Sequence, residues 1–228
     1  MANLKQHKLG WIGIGRMGYA MAERLAKAGC DISVWNRTRA KAEPLAKAGA
    51  KVADALTDLA ACDIVFTMVS TGKDVKEVLF GPGGVMSQGK MPKIVVDSTS
   101  ISIEESAEIR KQLAGHGIKF LAAPVSGNAK VIKAGKLTVV ASGPKDAFDA
   151  VDPYFAAIGR GVTYVGDGEL SRIAKICHNV MLGVVIQNLC EITVLAEKAG
   201  MQRHAFLDFL NNSVMGSMFT RYKTPALS

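Results

Sequence analysis

The stretch LGWIGIGRMG at residues 9–18 sets glycines at 13, 15 and 18 directly behind a short apolar run. Its surroundings decide what the triplet means. KLGWIGIG reads as a buried strand, and Met17–Ala28 turns to helical periodicity. KAGC closes that helix with Gly29 at a C-cap position, and DISVWN follows as a second strand. Within such a β-α-β unit the first glycine permits the turn and the second lets a pyrophosphate approach the backbone. The third lets helix pack on strand, and amides at the helix start face the phosphates. Gly13, Ile14, Gly15, Arg16, Met17 and Gly18 are therefore the candidate dinucleotide cradle.

The same alternation continues. TRAKAEPLAKAG reads as a second helix with Pro44 in an early turn. Short strands follow at AKVA, DIVFTMV and KIVVDST, with helical segments near 54–61, 73–80 and 102–114. Serial β-α-β units imply a parallel sheet covered on both faces, an α/β, Rossmann-type doubly wound fold. IKFLAAPV, KLTVVAS and GVTYVG are expected to extend that sheet to about residue 166. The pattern then changes. Residues 169–199 contain no Pro and one internal Gly, Gly183, with apolar residues on most faces. A helix of roughly 30 residues spans roughly 45 Å and, apolar nearly all round, belongs among other helices. The division read is 1–166 for the sheet domain and 167–228 for the start of an all-helical domain, with another helix near 203–212.

Composition removes several classes. The formal charge of +8 is spread along the chain and aromatics make up 6% of residues, unlike the basic, aromatic-laced stripe of a nucleic-acid surface. No uninterrupted apolar run reaches the roughly 18 residues of a membrane span, and MANLKQHKLGW has no signal-type stretch. Cys30, Cys62, Cys177 and Cys190 are scattered and show no metal-ligand spacing with the four histidines, so no metal site is expected. Reduced thiols fit a cytoplasmic protein. GPGG at 81–84 lacks the Lys-Ser/Thr ending of a phosphate loop and reads as a turn. His178 reads as structural, and Lys130, Lys133 and Lys136 as solvated charge.

The end of the second strand, VWNRT, bears on cofactor choice. An NAD site usually places Asp or Glu there for the ribose hydroxyls. This chain has neutral Asn36, then Arg37, whose guanidinium can take a 2′-phosphate in bidentate fashion, and Thr38, which adds a hydroxyl. NADP(H) is expected over NAD(H). Met68, Val69 and Ser70, after the fourth strand, are expected to line the same cleft.

Three later segments join the glycine loop: DSTS at 97–100, APVSGN at 123–128 and GDGELSRIAKICHN at 166–179. Together they resemble the β-hydroxyacid dehydrogenases. That family includes 3-hydroxyisobutyrate dehydrogenase, tartronate semialdehyde reductase and glyoxylate/succinic semialdehyde reductases, with 6-phosphogluconate dehydrogenase more distant. The resemblance implies an NAD(P)-dependent oxidoreductase of small anionic hydroxy acids or semialdehydes, a Rossmann domain followed by a helical one, and a homodimer or homotetramer. It also implies that Lys175 is the catalytic residue and Asn179 its partner. The residue chemistry agrees: one helical turn apart, an ammonium can exchange a proton with a carbonyl or alcohol oxygen and an amide can orient that oxygen. Ser126, with the amides of Gly127 and Asn128, can form an anion nest for a substrate carboxylate. The family usually has glycine where this chain has Asn128. Thr99 matches the family's hydroxyl near the nicotinamide ribose, and would equally serve as a helix N-cap.

Two other readings share these residues: an imine reductase-like enzyme, and a catalytically silent nucleotide-binding scaffold. RYKTPALS ends the sequence with no counterpart of the family's Lys-Asp segment, so a source protein heavier than 24.2 kDa is expected.

Overall fold

In the computed structural model, which describes residues 3–228, the chain divides into two compact units. One runs up to Lys175 and the other covers Ile176–Ser228. The first begins with β1 (Leu9–Ile12), α1 (Arg16–Lys27), β2 (Ile32–Trp35), β3 (Lys51–Val52), β4 (Ile64–Thr67) and α2 (Gly72–Phe80). It continues through β5 (Ile94–Asp97), α3 (Ile103–Gly115) and β6 (Lys119–Ala122). These strands form one sheet in the order β3-β2-β1-β4-β5-β6, parallel throughout. The order reverses between β1 and β4, the topological switch point at which such sheets open a ligand crevice.

Strand pleating accounts for both covered faces. Along β4, Ile64 and Phe66 enter one apolar cluster and Val65 the other; along β5, Ile94 and Val96 part from Val95 in the same way. Trp11 stacks on Phe66 with ring centroids 5.3 Å apart, and Phe155 meets Phe66 edge-on.

The parallel sheet stops at β6, short of the expected residue 166. Past Pro124 the chain forms β7 (Val125–Ser126), α4 (Ala129–Lys133), β8 (Thr138–Ala141), α5 (Lys145–Ile158) and β9 (Gly161–Tyr164). The three strands make a separate sheet, β7-β8-β9, in which β7 pairs antiparallel with β8. The reason lies in chain direction. The segment through Pro124 runs antiparallel to β8, with Val140 N–H donating to Pro124 C=O and Ala122 bridging Ser142. It cannot continue a parallel ladder.

Two expected helices are tighter than α. Residues 39–41 and 43–48 form 3₁₀ turns, closed by Gly49 in the left-handed region (φ 100°). Pro44 removes a backbone donor there, and Arg39 reaches away to Asp54 and Ala53 C=O. Residues 56–61 are likewise 3₁₀.

The long helix is α6 (Leu170–Lys198), followed by α7 (Arg203–Asn212) and α8 (Met218–Leu227). In the second unit Leu189, Thr193, Leu207 and Thr220 are buried, and Asn211 donates to Thr224 Oγ1 at 2.7 Å. Val180, Met181, Leu195 and Phe209 are exposed. By length and composition α6 is apolar enough to cross a membrane, with mean hydropathy 1.6. His178, Asn179, Gln187 and Asn188 interrupt its apolar residues, so α6 holds no uninterrupted apolar run of spanning length.

The first turn of α6 is fixed to the sheet unit by side chains. Arg172, 3% exposed, donates to Asp97 Oδ2 (2.5 Å), Thr99 C=O (2.5 Å) and Ser106 Oγ (3.2 Å). Asp97 Oδ1 accepts from Thr67 Oγ1 and Thr99 N–H. Ser171 donates to Ala122 C=O and bonds Ser142, while Arg110 grips Glu169 and Gly168 C=O. Removing one member of a buried pair strands the other charge and costs about 3–5 kcal/mol, whereas replacing both with apolar groups is often neutral. Arg172→Ala is thus expected to lower the unfolding free energy by that amount in denaturant titration. The pair Arg172→Met/Asp97→Leu should recover only part of it, because the buried Thr99 N–H and C=O lose their partners.

Candidate functional site

A cleft of about 460 Å³ opens at the C-terminal ends of β1, β2 and β4. Its lining includes Gly13, Ile14, Gly15, Arg16, Met17 and Gly18 from the turn into α1, Asn36, Arg37 and Thr38 after β2, and Met68, Val69 and Ser70 after β4. Twelve positions read from three separate stretches of sequence thus border one cavity.

The three glycines differ in what surrounds them. Gly13 has φ 98°, and a Cβ there would lie 2.2 Å from Met68 C=O; only glycine lets the turn pass so close to β4. A Cβ on Gly18 would lie 2.0 Å from Gly13 C=O, because α1 packs directly onto the turn. Gly15 has no atom within 4 Å of that position and an ordinary φ of −74°, so its missing side chain is space left toward the cleft. Trp11 Nε1 donates to Gly13 C=O at 3.1 Å and braces the turn. No side chain caps α1, whose first amides lack intrahelical acceptors and carry the positive end of the helix dipole. A pyrophosphate fits this donor set.

Asn36 stands where an acidic ribose ligand is common, but its side chain is engaged with backbone. Oδ1 accepts from Ile14 N–H at 2.9 Å and Nδ2 donates to Thr38 C=O at 2.9 Å. The amide ties the end of β2 to the glycine turn. Arg37, with its side chain 83% exposed, lies 3.9 Å from Asp74. Thr99 is not among the cleft's lining residues. It is fully buried, accepting from Val69 N–H through Oγ1 at 3.1 Å, and so acts on the cleft by holding Val69. Nor does Thr99 cap a helix; Ser102 caps α3 in a capping box with Glu105.

Ser126 ends β7 and Gly127 takes φ 145°. Asn128 is the N-cap of α4, its side chain accepting from the amides of Lys130 and Val131. Lys175 is half-buried on α6, and burial pushes its ammonium pKa below the usual lysine value. No carboxylate pairs with it among the described residues. Asn179, one turn further along α6, is exposed and bonded to His178. The described residues contain no cluster of metal-ligating side chains.

Sequence reasoning missed Trp35, Lys41, Leu56, Asp74, Glu77, Val78 and Pro82 in the cleft lining. Pro82 belongs to GPGG, read only as a turn. Asp74 and Glu77 had a usable signal: they sit at i, i+3 on the helix that follows the switch-point strand β4. Arg172 and Asp97, 75 residues apart, had none.

Comparison with known proteins agrees with this geometry. Residues 8–166 match the NAD binding domain of 6-phosphogluconate dehydrogenase. The chain is 32% identical over 210 residues to 2-(hydroxymethyl)glutarate dehydrogenase of Eubacterium barkeri, covering 92% of this chain and 70% of that one. It is 30% identical over 220 residues to the chloroplastic glyoxylate/succinic semialdehyde reductase 2 of Arabidopsis thaliana, covering 96% of this chain and 62% of the relative's length. Among solved structures, Mycobacterium tuberculosis 3-hydroxyisobutyrate dehydrogenase superposes with TM-score 0.86 at 25% identity, covering 96% and 75% of the two chains.

The glycines separate a structural role from a binding one. Gly15→Ala should fold with stability within about 1 kcal/mol of the parent, since φ is permitted and space is open, yet weaken NADPH binding in a fluorescence titration. Gly18→Ala should instead lower the melting temperature sharply. The chain belongs to the β-hydroxyacid dehydrogenase family, with the nicotinamide-nucleotide-binding domain of 6-phosphogluconate dehydrogenase.

Proposed function

We propose that this protein is an NADP(H)-linked oxidoreductase that interconverts a small 3-hydroxy acid and the corresponding semialdehyde or keto acid. The observation that carries the reading is the glycine turn. Gly13 and Gly18 are glycines because backbone fills the space, and Gly15 is glycine where nothing does. Backbone packing accounts for the first and third, and a dinucleotide pyrophosphate approaching the backbone accounts for the second.

A bound nicotinamide would supply or accept hydride at the substrate carbon. The protein's own contribution begins with Lys175, which donates a proton to the substrate oxygen during reduction and removes it during oxidation. Burial without a neighbouring carboxylate favours its neutral form, which is what a lysine base requires. Asn179 orients the same oxygen. Ser126 and the amides of Gly127 and Asn128 hold the carboxylate, with the Asn128 side chain kept to its cap. Arg37 and Thr38 select the 2′-phosphate, assisted by Lys41 on the same wall. Thr99 serves by positioning Val69. A reducing compartment such as the cytoplasm, in keeping with four free cysteines, and a homo-oligomeric assembly complete the reading.

The test is NADPH oxidation with glyoxylate, succinic semialdehyde, tartronate semialdehyde and methylmalonate semialdehyde, with a cyclic imine as comparison. Turnover of an aldehyde acid is expected; nucleotide binding with no turnover would favour a silent scaffold. Reduction needs protonated Lys175, so its rate should fall as pH rises through the lowered Lys175 pKa, while oxidation should rise. Lys175→Ala should cost about 10²–10⁴-fold in kcat and flatten both profiles. Its NADPH dissociation constant should stay within about twofold. Lys175→Arg should not restore the rate, because a guanidinium stays protonated.

A further inference from the structure

We propose that Asp74 is a second determinant of cofactor choice, a fixed carboxylate that opposes the 2′-phosphate Arg37 attracts. The proposal rests on the dinucleotide reading of the cleft. Asp74 lies in the first turn of α2 and is held there from two sides. Thr71 Oγ1 donates to its Oδ2 at 2.7 Å and accepts from its backbone N–H at 3.1 Å. Its other oxygen, Oδ1, stands 3.9 Å from Arg37 Nη1, and both residues border the cleft. Glu77, one helical turn on, also faces the cavity. The recognition wall therefore carries Arg16, Arg37 and Lys41 against two carboxylates.

Two effects of Asp74 compete. It can order Arg37 before the nucleotide arrives, which favours binding. It also places a negative charge within a few ångströms of any anion seated on Arg37, which disfavours it. Ordering is the smaller effect, because a largely exposed pair at 3.9 Å holds its partner weakly. Repulsion is the larger, since a phosphate monoester carries about −1.5 to −2 charges near neutral pH. Swinging the Asp74 carboxylate away would give up the bond from the Thr71 hydroxyl to Oδ2. A 2′-hydroxyl at the same place is neutral and can donate to the carboxylate. Asp74 thus supplies the acidic character missing at Asn36 and narrows the advantage of NADP(H) over NAD(H).

The test measures binding, with no turnover required. The 228-residue chain is titrated with NADPH and NADH, and with the fragments 2′,5′-ADP and 5′-AMP. Asp74→Asn keeps an acceptor for the Thr71 hydroxyl while removing the charge. It should tighten NADPH and 2′,5′-ADP by about three- to tenfold at low salt, following the Coulomb repulsion of nearby charges in a water-rich cleft. NADH and 5′-AMP should shift less than about twofold. Near 1 M salt, where the screening length is about 3 Å, the difference should shrink. Asp74→Ser is a second neutral variant that preserves the helix start, and Glu77→Gln should act in the same direction more weakly. An unchanged or lowered NADPH-to-NADH affinity ratio in both neutral Asp74 variants overturns the proposal. Failure of the parent to bind either dinucleotide overturns the reading beneath it. Arg37→Ala separates the remaining case: equal NADPH affinity with and without Arg37 refutes its assignment to the 2′-phosphate.

Discussion

The buried Arg172–Asp97 pair is the constraint around which the sheet unit and the beginning of α6 are organised. Asp97 closes β5, where parallel strands deliver their last side chains toward the ligand-binding edge of the sheet. Its carboxylate is shared between Thr67 at the end of β4, the Thr99 amide and the Arg172 guanidinium. Arg172 in turn binds Thr99 C=O, and Thr99 Oγ1 takes the Val69 amide. Continuous hydrogen bonds therefore join the first turn of α6 to a wall of the cleft beside the glycine turn. Lys175 lies one turn beyond Arg172, so the ion pair that fixes the helix also fixes where Lys175 begins.

The glycine turn depends on a different economy of space. Its outward residue, Gly15, faces open cavity, while its inward residues, Gly13 and Gly18, are in contact with backbone. Trp11 links the two regimes: its ring stacks on Phe66 in the core and its indole N–H holds Gly13 C=O. The core thus sets the shape of the loop as well as supporting it. Asn36 adds a second tie from β2. A loop anchored at both ends can present amides to an anion without losing much conformational freedom on binding.

Local signals made the wall of the cleft legible in the sequence. Strand, glycine turn and helix are encoded within about twenty residues, and the switch-point position of Met68–Ser70 follows from counting parallel strands. What the sequence hid depends on distance or on chain reversal. The second sheet could not be read because apolar strands such as TVVA look alike whether they run parallel or antiparallel; only the route past Pro124 distinguishes them. The 3₁₀ character of 39–48 was hidden by an amphipathic pattern that suits either helix type. Thr99 was placed near the cofactor by resemblance, and the structure assigns it a buried bond to Val69 that no local pattern encodes.

Asn128 shows how a single departure from a family pattern can be structural in origin. Its carboxamide oxygen receives two amides at the start of α4, the office a capping side chain performs and a glycine cannot. α4 then leads through Gly135 and Leu137 into β8, and β8 is the strand that pairs with β7, where Ser126 sits. The cap thus lies in the connection between the two antiparallel strands β7 and β8. Gly127 itself cannot change easily, since φ 145° strains any side chain there and a Cβ would meet Leu137 and Val131 at 3.0 Å. The asparagine thus acts on the loop's shape before it acts on any ligand.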